Sequence, residues 1–287
     1  HLPEDLSAWE SASLQSLALE SMELPCRGGS GLARMPLATL KQPLQIRIVE
    51  QGYFRAEDSQ LPEMDQQLPP AAFLAAARAD AAALALHLQD AGQSLVRMLD
   101  YTLPDYWPPP GPDLPAILDS ASPLAPVMRQ LRFQTDVITS GAIGLVVASQ
   151  LGQAARWLVV PWFARGTLEL LRFPAARVLQ VRLRSVRGAD IGPGNIRQIF
   201  TTPTLPEAFE DPLSTVCKEC TAITHIAVDF DAWFNIMSTA EVEQVTGAVT
   251  GRQERTLRVN DRRVTVVFGL SEAEMTRDEA LNAAIRL

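Results

Sequence analysis

The segment from Pro70 to Leu99 constrains the fold of this chain more than any other. Leucine and alanine recur in it at spacings of three and four residues, at Leu74, Ala77, Ala81, Leu84, Leu88, Ala91, Leu95 and Met98. Such spacing places these side chains along one side of an α-helix, here roughly 45 Å long at 1.5 Å per residue. Prolines suit the first turn of a helix, so Pro69 and Pro70 mark its start. The stripe predicts a long central helix that packs against other elements, and Leu84, Leu88 and Leu95 are candidate residues for a partner interface.

A proline-rich stretch follows this predicted helix. Eight prolines lie between Pro104 and Pro126, some of them in the run "WPPPGP". A stretch of this composition favours extended polyproline conformation over a regular helix or a central strand. Tyr106 and Trp107 lie beside the prolines, and adjacent aromatic side chains are more typical of a docked arm than of a free linker. We therefore predict an extended arm whose two aromatic residues contact a protein surface.

Strand signals surround these two features. Alternating or continuous apolar residues predict strands in "LQIRIV", "RWLVVPWF", "ARVLQVRLRSV", residues 223–234 and "RTLRVNDRRVTVVFGL". Asn260 and Asp261 divide the last of these into a predicted hairpin. Ser271 and Glu274 form a capping box before a C-terminal helix.

Together these patterns predict the α+β class, with a long central helix packed on helices and antiparallel strands. Four segments are expected. They are an N-terminal arm or amphipathic segment at 1–35, a strand plus the long helix at 36–103, the proline-rich arm at 104–126, and a helical core followed by a β-rich C-terminal part at 127–287.

Composition and charge exclude several classes of protein. Hydrophobic residues make up 47% and charged residues 20% of the 287 positions, as in globular proteins. A net charge of −8 argues against recognition of nucleic acid, which uses basic surfaces. Polar residues interrupt the most apolar stretch, 137–173, so we expect a buried core there and no membrane span.

Location is predicted from the N-terminal residues and the cysteines. The first thirty residues are acidic and contain no continuous apolar run, so we expect no secretory signal in them. Three cysteines cannot build a disulfide framework and fit a reducing compartment. We therefore expect a soluble protein in the cytoplasm or inside an assembled particle. A first residue His1 is expected of a fragment, a tag remnant or a chain matured by proteolysis.

Cys217 and Cys220 have the spacing of a zinc or redox pair. A closed zinc site needs four ligands, and His225 and the distant Cys26 would have to complete it. A redox pair is placed between a strand and a helix, whereas this pair precedes a predicted strand. We therefore expect two cysteines in a turn, with no metal and no cofactor.

Asp229 and Asp231 share one face of the predicted strand with His225, because strand side chains alternate. Two carboxylates so spaced can hold a divalent cation or work as an acid–base pair. A solvated face explains the same pattern and is the favoured interpretation. The glycine-containing loops "DIGPGNI" and "GGSGLA" lack the rest of a nucleotide-binding motif.

The run "IAVDF…STAEVEQVTGAV…RTLRVNDRRV" resembles the SpoA-type domains of type III secretion sorting platforms and flagellar rotor rings. The resemblance covers residues 223–264 and implies a strand, a short helix and a hairpin in that order. A helix stands where that family has glycine-rich final strands, so we do not assign the chain to it.

The sequence as a whole predicts a non-enzymatic structural or assembly subunit of a large oligomeric complex. Capsid or phage-particle subunits and components of a bacterial secretion apparatus fit this description. The expected partners are further copies of the chain and other protein subunits. The alternative is an enzyme with a site near His225, Asp229 and Asp231.

Overall fold

The computed structural model describes residues 21–25, 44–49, 71–90, 96–103, 114–133, 140–161, 170–183, 193–229, 252–270 and 272–286. The chain divides into two units, His1–Ala154 and Ala155–Leu287. Both units combine helices with a mostly parallel sheet, which confirms the predicted mixture of helices and strands. The boundary between the units falls inside the predicted segment 127–287.

In the part of the first unit that the structure describes, four parallel strands lie in the order β1-β2-β3-β4. Its elements are β1 (Ser21–Pro25), β2 (Leu44–Val49), α1 (Ala71–Asp90), β3 (Val96–Thr102), α2 (Leu114–Ala121), a 3₁₀ turn (Ser122–Leu124), β4 (Gln130–Arg132), α3 (Ser140–Ala148) and α4 (Gln150–Ala154). Part of the segment predicted as an N-terminal arm is therefore a sheet strand, because β1 pairs with β2.

Helix α1 is shorter than the sequence predicts. It ends at Asp90 and not near Leu99, and Val96–Thr102 forms β3. Gly92 and the β-branched and aromatic residues of "VRMLDYT" favour that change from helix to strand. The buried residues of α1 pack mainly on α2 and the 3₁₀ turn. They are Ala77, Ala81, Leu84, Ala85 and Leu88.

The second half of the predicted proline arm is helical. Residues 114–121 form α2, and Leu114, Ile117 and Leu118 are buried. Pro115 and Pro123 lie at the starts of α2 and of the 3₁₀ turn, where a missing N–H group is tolerated. The prediction of extended polyproline conformation is therefore wrong for residues 114–124. The first half of the segment, 104–113, lies outside the described residues.

The described residues of the second unit form five strands in the order β5-β6-β7-β9-β8. Its elements are β5 (Trp157–Pro161), β6 (Val178–Arg182), α5 (Pro193–Thr201), α6 (Glu207–Glu219), β7 (His225–Asp229), β8 (Gln253–Val259), β9 (Arg262–Phe268), α7 (Glu272–Arg277) and α8 (Glu279–Arg286). None of the helices in the described ranges of either unit is long and apolar enough to cross a bilayer.

The prediction of antiparallel strands is wrong for most of this unit. Strands β5, β6, β7 and β9 are parallel, and only β8 runs antiparallel to its neighbour β9 among the described pairs. Parallel strands are buried on both faces and consist of nearly continuous apolar residues. The fully buried strand "WLVVP" has that character.

The predicted hairpin is confirmed. Asn260 and Asp261 join β8 to β9, and both have positive φ angles, 45° and 62°. Two consecutive positive φ angles are the property of a type I′ turn, whose twist matches the flanking strands. Val259 lies directly opposite Arg262 across this two-residue turn.

The C-terminal segment forms two short helices instead of the single helix predicted. Asp278 separates α7 from α8, and its Oδ1 accepts a hydrogen bond from the Leu281 backbone N–H at 3.0 Å. This is an N-cap, which satisfies a backbone donor that the first turn leaves free. Ser271 of the predicted capping box lies outside the described residues.

Three arginines of the described second unit bind carbonyl groups at the ends of helices. Arg255 Nη2 donates to the carbonyls of Ile199 at 2.6 Å and Thr202 at 2.8 Å, at the end of α5. Arg156 Nη1 donates to the carbonyl of Ile285, near the end of α8, at 3.0 Å. The last carbonyls of a helix have no partner within it and carry partial negative charge. These cations therefore fasten the helices to the sheet.

Arg262 does the same for α6. Its Nη2 donates to the Cys217 carbonyl at 2.6 Å, and its Nη1 binds the carbonyls of Thr221 and, at 3.4 Å, Ile223. Arg262 thus joins the β9 end of the hairpin turn to the chain leaving α6.

Candidate functional site

The two cysteines are core residues. Cys217 lies in the last turn of α6 and Cys220 directly follows the helix, so the predicted turn is wrong for Cys217. Both are fully buried and free. The Cys220 thiol donates a hydrogen bond to the Leu171 carbonyl at 3.0 Å and accepts one from the Phe173 N–H at 3.3 Å. Cys220 thereby holds the segment that leads into β6.

Burial keeps both thiols protonated. Burial raises the pKa of Cys217 to about 12, and the nearby Arg262 guanidinium opposes this only in part. Burial likewise raises the pKa of Cys220 to about 11, against the hydrogen bond from Phe173. Nucleophilic attack and metal binding both use the thiolate, so these side chains are unreactive at neutral pH.

The structure describes no group of three or more His, Cys, Asp or Glu side chains placed to hold a metal ion, within the ranges given above. Cys26 lies outside those ranges. The expectation of no metal at the cysteine pair stays a prediction.

Asp229 is buried, contrary to the expected solvated face. Only 3% of it is exposed, and its strand β7 is an interior strand between β6 and β9. Its Oδ2 lies 3.5 Å from Nε2 of the fully buried Gln180 on β6, and Arg182 lies opposite it in register. The Gln180 Oε1 atom is buried without a hydrogen-bond partner among the described residues. Asp229 and Gln180 thus form a buried polar pair, with Asp229 at the carboxyl end of β7 and Gln180 in the middle of β6.

His225 lies at the other end of β7. It lies four positions before Asp229, or about 13 Å away at 3.3 Å per residue. Its Nδ1 lies 3.0 Å from the Thr224 hydroxyl. Burial lowers the pKa of His225, while Asp278 and Glu254 oppose that effect. The structure therefore does not bring His225 and Asp229 together, and Asp231 lies outside the described residues.

The predicted interface residues differ in what the structure shows of them. Leu84 and Leu88 are only 1% and 2% exposed and pack inside the first unit. Leu95, Tyr106 and Trp107 lie outside the described residues. A role for these five residues in a partner contact stays a prediction.

Within the described residues, strand β8 presents an open edge, which the sequence did not predict. It is the last strand in the order of the described sheet and pairs with β9 alone. Glu254, Thr256 and Arg258 are exposed on one of its faces. A cleft of about 640 Å³ runs beside them, bounded on the other side by Thr204 and Glu210. The polar alternation in "ERTLRV" was the signal that could have identified it.

At Glu254, Thr256 and Arg258 the backbone N–H and C=O groups also point away from β9. Thr256 lies opposite Thr265 of β9, and the Thr265 N–H donates to the Thr224 carbonyl at 2.9 Å, away from β8. Hydrogen-bonded and non-hydrogen-bonded pairs alternate in an antiparallel ladder. Thr256 therefore belongs to a non-hydrogen-bonded pair, and so do Glu254 and Arg258. Their N–H and C=O groups face away from β9.

No protein-family model matches this chain, and no curated protein or solved structure matches it either.

Proposed function

We propose that this protein is a non-enzymatic structural subunit that acts through protein–protein contacts in a larger assembly. A virus or phage particle and a bacterial secretion apparatus are the settings that the sequence suggests. The observation that carries the proposal is the open edge of β8, where outward backbone groups coincide with exposed polar side chains.

An open strand edge is a ready template for another strand. Proteins commonly block such edges with proline, a bulge or a covering segment. Strand β8 contains no proline, and its register with β9 is regular over all seven residues. Charged residues on an edge strand oppose non-specific aggregation. The edge of β8 therefore suits a partner strand that places opposite charges against Glu254 and Arg258.

The mass in solution tests this proposal. Light scattering of the full chain over a micromolar concentration series should give a mass above the 31.4 kDa of one chain. If the chain is a monomer throughout, binding to other proteins of its host, followed by identification of the bound protein, still supports an assembly role. A monomer that binds no protein contradicts it.

The second candidate is an enzyme or ligand-binding protein centred on Asp229 and Gln180. Asp229 ends a parallel strand, and ligands in open α/β sheets bind at the carboxyl ends of such strands, while Gln180 lies beside it on β6. A panel of small molecules and divalent cations should then raise the melting temperature of the wild type more than that of Asp229→Asn. Equal responses of the two proteins argue against this candidate.

A further inference from the structure

We propose that β8 pairs antiparallel with β8 of a second copy, on a two-fold axis that passes through Thr256. This inference rests on the proposed assembly function and names its partner. The argument uses the backbone of the edge, the order of its charges and the cleft beside it.

The backbone supplies a self-complementary set of hydrogen-bonding groups. Glu254, Thr256 and Arg258 direct their N–H and C=O groups outward, and Thr256 is the middle residue of the three. With Thr256 opposite Thr256 of the second copy, all three positions become hydrogen-bonded pairs. Each such pair exchanges two N–H···O bonds, so three pairs supply roughly six hydrogen bonds. The carbonyl of Glu254 accepts a hydrogen bond from Arg255 Nη1 at 2.8 Å, which shows that it is not used by β9.

The charges select this register. Pairing about Thr256 places Glu254 of each copy opposite Arg258 of the other, giving two opposite-charge pairs on the exposed face. The outward groups stay paired only when the register shifts by two residues at a time. A two-residue shift in one direction places Arg252 opposite Arg258, and a four-residue shift places Glu254 opposite Glu254. A two-residue shift in the other direction places Asn260 opposite Glu254, and a four-residue shift places Arg258 opposite Arg258. Opposite charges across strands stabilise pairing and like charges oppose it.

The contacts of Glu254 within its own chain allow it to leave Arg252 and bind Arg258 of the second copy. Its Oε1 lies 2.6 Å from Arg252 Nη2, and its side chain is 54% exposed. Arg252 also binds Asp278 through Nη1 at 3.0 Å, so it keeps an ionic partner when Glu254 turns toward the second copy. Arg258 is exposed and makes no hydrogen bond or ion pair through its side chain among the described residues. Among the described residues, a cleft of about 640 Å³ separates Glu254, Thr256 and Arg258 from Thr204 and Glu210.

Charge reversal tests the inference with the full-length chain. Glu254→Arg places arginines opposite each other at both sites, and Arg258→Glu places glutamates opposite each other. Each single variant should raise the dissociation constant of the pair roughly ten- to hundredfold, since two attractive contacts become repulsive. The double variant Glu254→Arg/Arg258→Glu restores both pairs and should recover the wild-type association.

Mixing gives the sharper result. A Glu254→Arg chain and an Arg258→Glu chain present two arginines and two glutamates respectively, so they should pair with each other while neither pairs with itself. Sedimentation velocity with one chain fluorescently labelled measures this directly. Single variants that associate as well as the wild type, or a mixture that stays unpaired, overturn the register.

A backbone variant separates strand pairing from side-chain effects. Thr256→Pro removes an outward N–H that β9 does not use, so the hairpin should keep its fold while pairing between copies is lost. Thr256→Val is the matched control, because it keeps the N–H and the β-branched shape and should associate like the wild type. Circular dichroism and melting temperature establish that both variants are folded.

The outcomes separate this inference from the assembly function. An oligomer that none of these substitutions alters, or a monomer that binds a different protein, overturns the β8 pairing and leaves the assembly function in place. A monomer that binds no protein overturns both.

Discussion

At the scale of single residues, the thiols of Cys217 and Cys220 give the chain a predictable response to alkaline pH. Burial raises the pKa values to about 12 and about 11 from 9.0. Between pH 9 and these values the unfolded chain loses both protons and the folded chain keeps them. The folded state then binds more protons, so the free energy of unfolding falls as pH rises. Below pH 9 the two thiols contribute no pH dependence.

Urea titrations at several pH values between 8 and 11 measure this effect. The variant Cys217→Val, which removes one buried thiol with little change of shape, should show a weaker decline above pH 9 than the wild type. A decline of equal steepness in both proteins would show that other groups cause it.

The fate of Asp229 shows what a sequence reveals about one side chain. Alternation correctly placed His225 and Asp229 on the same face of a strand, and it did not reveal whether that face is covered. Burial depends on elements that are distant in the chain: β6 ends 43 residues before β7 begins, and β9 begins 33 residues after β7 ends. The buried glutamine partner Gln180 was equally hidden, since a single polar residue in an apolar run has no periodic signal.

At the scale of elements, Arg262 is expected to contribute to stability through the end of α6. Arg262→Ala removes the donor that binds the Cys217 and Ile223 carbonyls, which leaves partly buried acceptors without that partner. Hydrogen bonds to charged groups are worth about 1.5–3 kcal/mol, so we expect a loss of roughly 1–3 kcal/mol in the free energy of unfolding.

Arg263→Ala is the control for this substitution. It removes an arginine from the neighbouring, exposed position of the same strand and should change stability by less than about 0.5 kcal/mol. Chemical denaturation of both variants measures the difference. Equal stabilities of Arg262→Ala and the wild type would show that the helix end does not depend on this cation.

Local signals predicted the elements that local chemistry determines. The Asn260–Asp261 turn was found because both residue types tolerate positive φ angles, and the two flanking apolar patterns pair across it. The end of α1 was missed because the leucine and alanine spacing continues past Asp90 into a segment that parallel pairing with β2 makes a strand. Parallel partners are distant in sequence, so their effect on a short apolar segment has no local signature.

At the scale of the whole molecule, β8 pairing limits what the chain can build. A two-fold contact uses the same surface on both copies, so it closes at two copies and leaves neither β8 edge free for a third. An assembly larger than a dimer therefore needs a second surface. The sequence offers the aromatic residues Tyr106 and Trp107 for that role, in the part of the proline-rich segment that the structure does not describe.

The double substitution Tyr106→Ala/Trp107→Ala distinguishes these two surfaces. Burying a large aromatic side chain is worth roughly 1.5–3 kcal/mol, so losing two should reduce a larger assembly to the β8-paired dimer. Thr256→Pro should leave the aromatic contact and remove the dimer contact, and the combination of all three substitutions should give a monomer. Light scattering of the four proteins reads out this series. A wild type larger than a dimer whose mass the aromatic substitutions leave unchanged would exclude Tyr106 and Trp107 as the second surface, because the edge alone cannot hold more than two copies.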